Sequence, residues 1–249
     1  MKKLISILLM LCICFSASVM FTACNGSKST LTKEEYIEVY SKVISEVNVY
    51  TNSVSMASPL SVVISDADFI EVPTNQGKNA IKGNTAMLYF LRNILNVQTF
   101  EIVDGFQDIQ VIDNVSSPNT QTFKIRLSMS YDKETGEIKS MVYVEDYTSS
   151  NIIVNSLEFT FNYNFESKTL SGFTVLGVMG YKGSLTANGV NYLKYTNGTL
   201  YRINPESTVF PQFATDVLAK CVEVGANPFG SNLPDYSNQY ITAMQEAFA

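Results

Sequence analysis

TFKIRLSMSYDKETGEIKSMVYVEDY, Thr122 to Tyr147, decides the fold class. Phe123, Ile125, Leu127, Met129 and Tyr131 take every second position, with Thr, Lys, Arg and Ser between them. A period of two is the signature of a strand with one dry face and one wet face. DKETGE then supplies turn residues, and IKSMVYVEDY carries the chain back as a second strand of a hairpin. LEFTFNYNF repeats the pattern, with Leu157, Phe159, Phe161, Tyr163 and Phe165 on one side and Glu158, Thr160, Asn162 and Asn164 on the other.

Downstream, ESKTLSG turns the chain into FTVLGVM, and Asn197-Gly198 joins NYLKYT to TLYRI through a two-residue turn suited to positive φ. Upstream, the looser segment Leu60 to Val72 has room for a further strand. Helical spacing appears elsewhere. Tyr36, Ile37, Tyr40, Val43, Ile44 and Val47 form one stripe from Lys33 to about Tyr50, with Thr32 and Glu35 spaced as a capping box. Leu88, Leu91, Ile94 and Leu95 mark a second helix over Thr85 to Asn96; two more close the chain, one ending near Gly225 and one over Tyr236 to Phe248. A sheet with one dry face needs an apolar cover. The expected architecture is α+β, an antiparallel β-meander of about six strands with amphipathic helices packed on one face.

The N-terminus has a different character. Lys2 and Lys3 precede LISILLMLCICF, an uncharged apolar run, and small residues follow it. A charged head, a short apolar stretch and a small-residue exit are the parts of an export signal. The exit ends in FTAC, Phe21 to Cys24, which resembles the lipobox of bacterial lipoproteins; Thr22 and Ala23 fit that pattern, and Phe21 departs from its usual leucine. Cys12 and Cys14 follow Leu11 and Ile13, neither of them small. The resemblance covers only the first 26 residues or so. It implies removal of a signal peptide, residues 1–23, lipidation of Cys24, a flexible tether over 24–30, and a single extracytoplasmic domain over 31–249 held at the cell membrane by lipid on Cys24. Two or more acyl chains hold a protein stably to a bilayer.

Composition narrows the partners. Without Lys2 and Lys3, 15 basic residues stand against 23 acidic ones, a net charge of −8. Binding to nucleic acid is therefore not expected, because it draws on neutralised phosphates. The 21 Asn against 8 Gln fit a low-GC Gram-positive source. With Cys24 acylated, Cys221 is the one thiol left and no internal disulfide can form. Cys221 shares an apolar stripe with Phe210, Phe213, Ala214, Val217 and Leu218, so a buried thiol is expected there.

The chain contains no His, which removes imidazole bases, Ser-His pairs and imidazole metal ligands. Ser130 and Lys133 match an SxxK spacing at the frequency chance allows, and at the end of a strand rather than on a helix. Asp66 and Asp68, if extended, would project to one side about 6.6 Å apart, yet neighbours on one strand cannot straddle a sugar. Asp132, Glu134 and Glu137 lack the glycine and ligand spacing of a calcium loop. Tyr181, Tyr192, Tyr195 and Tyr201, beside Asn188, Asn191 and Asn197, offer either an adaptable contact surface or the cover of a half-exposed hairpin. No catalytic residue, metal ligand or cofactor is expected. The expected function is a membrane-anchored, non-catalytic binding or interaction module whose ligand the sequence does not identify; a protein or a glycan is a candidate partner. The alternatives are a carrier of an apolar ligand between sheet and helices, and a hydrolase built from carboxylates alone.

Overall fold

A computed structural model describes residues 30–52, 66–72, 74–115 and 120–249. The proposed signal peptide, Cys24 and the tether up to residue 29 lie outside the described residues, as does the first half of the Leu60 to Val72 segment.

Helix α1 runs over Lys33–Asn52. Its start is the expected capping box: the Thr32 amide donates to Glu35 Oε2 at 2.8 Å, and the Glu35 amide donates to Thr32 Oγ1 at 3.2 Å. Two amides that the helix leaves without partners are satisfied reciprocally. Helix α2, Thr74–Leu95, begins eleven residues before the expected Thr85. Asn75, Gly77, Asn79, Gly83 and Asn84 are poor helix formers and hide its first half. Burial of Ile81, at 1% exposure, supplies the anchoring that local propensity lacks.

The sheet has eight strands rather than six. They are β1 (Phe69–Glu71), β2 (Gln107–Asp113), β3 (Gln121–Tyr131), β4 (Glu137–Asp146), β5 (Ile153–Asn164), β6 (Thr169–Tyr181), β7 (Val190–Thr196) and β8 (Thr199–Ile203). All pair antiparallel in the order β1-β8-β7-β6-β5-β4-β3-β2, so β2 to β8 form a meander and β1 returns to its far edge. Asn197 and Gly198 have φ of 48° and 78° and make the expected tight turn between β7 and β8. Beyond the six, β1, three residues long, falls within Leu60 to Val72, where room for a strand was expected, and β2 has as its dry positions Ile109, Val111 and a buried carboxylate, Asp113. An Asp in place of a third apolar residue breaks the alternation.

The expectation of helices on one face is also corrected. On the front of the sheet, Phe123, Ile125, Leu127, Val142, Leu157, Phe159, Phe161, Phe173 and Val175 form one core with α1, α2 and α4 (Ser237–Phe248). Phe159 and Phe161 are fully buried, their rings 6.1 Å apart and nearly parallel. Tyr40 of α1 joins its hydroxyl to Ser140 Oγ on β4 at 2.5 Å. Helix α3, Phe210–Ala226, packs instead on the back, against Tyr143, Val154, Val178, Val190 and Ile203. Those strand positions alternate with the front core, and Ser, Lys and Glu interspersed among them mask a second, smaller dry patch. Both sheet edges are short or covered. β1 ends one of them, and at the other Gln110 of β2 donates to Pro234 O at 3.0 Å and accepts from the Tyr236 amide at 3.1 Å.

Candidate functional site: a polar groove on the back of the sheet

Helix α3 covers only part of the back face. Along β5 the back-facing residues pass from Val154 and Ser156, which are buried, to Glu158, Thr160, Asn162 and Asn164. Over Asn162 and Asn164 opens a groove of about 680 Å³, lined also by the β3–β4 turn at Thr135 and Gly136, by Thr169, Ser171, Gly172 and Thr174 of β6, by Lys194 and Thr196 of β7, and by the strand residues Tyr163, Phe173 and Tyr195, whose rings belong to the front core.

A β-bulge shapes it. Asn162 pairs with Gly172 and Tyr163 with Leu170, which leaves Ser171 as an extra residue on β6. Bulges bend the strand and raise its local twist, turning a flat face concave. Ser171 Oγ donates to Asn162 O at 3.1 Å, and Thr196 Oγ1 donates to Ser171 O at 3.4 Å, so the bulge is tied to both neighbouring strands. Gly172 is required there, because a Cβ would lie 2.9 Å from Tyr195 O. In the β3–β4 turn, Asp132 accepts the Glu134 and Thr135 amides at 2.8 and 3.3 Å, which holds its carboxyl below the usual carboxylate range. DKETGE is therefore a hairpin turn, as expected.

The floor and rim are electrostatically quiet. Lys194 is 8% exposed, with its ammonium 5.4 Å from the Phe69 ring. At the rim, Lys139 and Glu137 pair at 2.8 Å, and that hydrogen bond raises the lysine pKa. Tyr192, beside the groove, lies between Phe213 and Phe69, with ring separations of 5.6 and 5.5 Å; burial raises its pKa against a hydrogen bond from Thr174.

The remaining back-face charges tie α3 down. Arg126 grips Asp108 from Nε and Nη2 at 2.7 and 3.0 Å and donates to the carbonyls of Val224, Asn227 and Pro228. Glu145, almost fully buried, accepts from Tyr143, Tyr147 and Lys182. Arg126 thus caps the C-terminus of α3, and Glu145 ties β4 to Lys182.

Other residues singled out in the sequence fall as follows. Cys221 is buried beneath α3, and burial pushes its thiol pKa up, as expected of an inert thiol. Asp66–Asp68 is a short 3₁₀ turn, and the Asp68 carboxylate is engaged by Ser207. The tyrosines do not converge. Tyr195 lies in the front core, Tyr192 packs on the back, and Tyr181 is exposed. Among the described residues, no group of three or more Cys, Asp or Glu is placed to hold a metal ion, and no helix is long and apolar enough to cross a membrane. Sequence reasoning read Asn162 and Asn164 only as a solvated face. The signal that they border a site is the change along β5 from small and apolar back-face residues to polar ones, which marks where α3 stops covering the sheet. The chain matches no family model, no curated protein and no solved structure.

Proposed function

We propose that this chain is a lipid-anchored extracytoplasmic binding protein, with Cys24 carrying the lipid and the back-face groove receiving a polar ligand without chemistry. The observation that carries the binding role is the lining of the groove: its back-face side chains are amides and hydroxyls with one amine, Lys194, and no acid, thiol or imidazole is among them. Such a surface can orient a ligand by hydrogen bonds but offers no nucleophile with a base beside it. The anchoring role rests on FTAC and the export signal before it. A polar tether of six residues, Asn25 to Thr30, would keep the domain within about 20 Å of the bilayer, given at most about 3.6 Å per extended residue.

The carrier alternative is less well supported. Phe159 and Phe161 are fully buried in the front core, and the gap beneath α3 amounts to only about 20 Å³.

Two measurements test the reading. Fatty-acid labelling in a bacterial host should be lost in Cys24→Ala, and undiminished labelling sinks the anchor. Fractionated envelope components should raise the melting temperature of the full chain, and Thr174→Arg, which fills the groove, should abolish the rise. A rise that survives Thr174→Arg, or no rise with any fraction, sinks the groove.

A further inference from the structure

We infer that the ligand of this groove is a neutral oligosaccharide; the inference rests on the binding role proposed above and narrows it to one ligand class. Asn162, Asn164, Thr169, Ser171, Thr174 and Thr196 line the groove. The Asn162 and Asn164 amides both donate and accept, while Ser171, Thr174 and Thr196 give their protons to Asn162 O, Tyr192 and Ser171 O and remain as acceptors. A sugar hydroxyl also donates and accepts, so adjacent hydroxyls can pair reciprocally with one amide or give a proton to one Thr.

Other ligand classes match less well. A cationic ligand would find no carboxylate in the lining. An anionic ligand would approach a chain of net charge −6 before processing, and the one lining cation, Lys194, is already held under the Phe69 ring at 8% exposure. The rim pair Glu137–Lys139 sums to zero. Field and floor therefore attract neither sign strongly. An extended peptide binds most simply by adding to a free strand edge, but β5, β6 and β7 are each paired on both sides. An apolar ligand would need apolar walls, whereas Tyr163, Phe173 and Tyr195 turn their rings into the front core. The volume, about 680 Å³, falls within the roughly 300–1,000 Å³ of small-ligand sites and has room for a few linked rings. Because the rings of Tyr163, Phe173 and Tyr195 belong to the front core, a sugar finds no ring to stack on here, and each site should bind weakly.

The test uses the full-length chain in micelles of a zwitterionic detergent, since sugar-headed detergents would compete. Saturation-transfer NMR is run with neutral gluco-, xylo- and chito-oligosaccharides, and in parallel with polyphosphate, a uronate oligomer and short neutral peptides. Saturation transfer to at least one neutral oligosaccharide is expected, with Asn162→Ala and Asn164→Ala each weakening binding roughly 3- to 10-fold, the worth of one or two hydrogen bonds. Both positions are exposed, so unchanged melting temperatures should show that the variants are folded. Absence of transfer to every neutral saccharide, or transfer that both variants leave intact, overturns the inference. Groove-dependent binding of the polyanions or peptides alone also overturns it, while leaving the binding role standing.

Discussion

Arg126 and Val224 meet at 2.7 Å, the guanidinium Nη1 of a β3 residue donating to a carbonyl in the last turn of α3. The same side chain holds both carboxylate oxygens of Asp108, and its guanidinium carbon lies 4.7 Å from the centre of the Phe229 ring. One residue thus satisfies orphan carbonyls at a helix end and fixes where α3 stops.

Arg126→Met should therefore destabilise the fold by roughly 3 kcal/mol, the low end for breaking a buried pair, since Asp108 keeps 22% side-chain exposure. Chemical denaturation gives the magnitude. Hydrogen exchange should show the C-terminal turn of α3 losing protection before the front core does; uniform loss over both layers would refute the anchoring role.

Phe159→Ala should cost roughly 3 to 5 kcal/mol, as for a packed aromatic removed from a core. The residue is fully buried and stacked on Phe161. A nearly neutral effect in urea denaturation, together with stoichiometric lipid extracted from the wild type, would point back to a carrier.

Cys221 should resist alkylation in the native chain. It is 2% exposed, and burial raises its pKa despite a hydrogen bond to Ser156, so both access and thiolate fraction are low. Labelling at mildly alkaline pH should follow unfolding. Rapid labelling before unfolding would contradict the packing of α3.

Acid should weaken the fold through Glu145. Burial alone would raise its carboxyl, but donation from Lys182, Tyr147 and Tyr143 outweighs it and the net direction is downward from 4.5. A carboxyl depressed in the folded state contributes stability above the unfolded value and loses it as pH falls through the folded one. The loss should appear below about pH 4.5 and flatten in Glu145→Gln. Alkali acts oppositely through Tyr147 and Tyr240, whose pKa values burial pushes up to about 12: stability should fall as pH rises from 10 toward 12. Denaturation midpoints across pH, compared between wild type and variant, check both limbs.

Most of the strands were legible because their dry positions are large and regular, Phe123 to Tyr131 and Leu157 to Phe165 above all. Asn197-Gly198 and the Thr32–Glu35 box were equally direct, since each is a local solution to a backbone problem. β2 was not legible, because Asp113 occupies a dry position. Neither was the position of α3: an amphipathic stripe specifies that a helix is covered, not which face covers it. The groove inherits that ambiguity. Asn162 and Thr174 become a site only through the placement of a helix some forty residues further along the chain, and the bulge at Ser171 depends on a register that no alternation pattern contains.

The ends of the sheet bear on how these molecules tolerate one another. Proteins confined to a surface meet far more often than the same number free in solution, and an open strand edge then becomes a site for joining sheet to sheet. Here one border is three residues long and the other is occupied by the Pro234 to Tyr236 segment. With the lipid on Cys24 proposed above, lateral crowding should leave the molecules separate and the groove of each accessible.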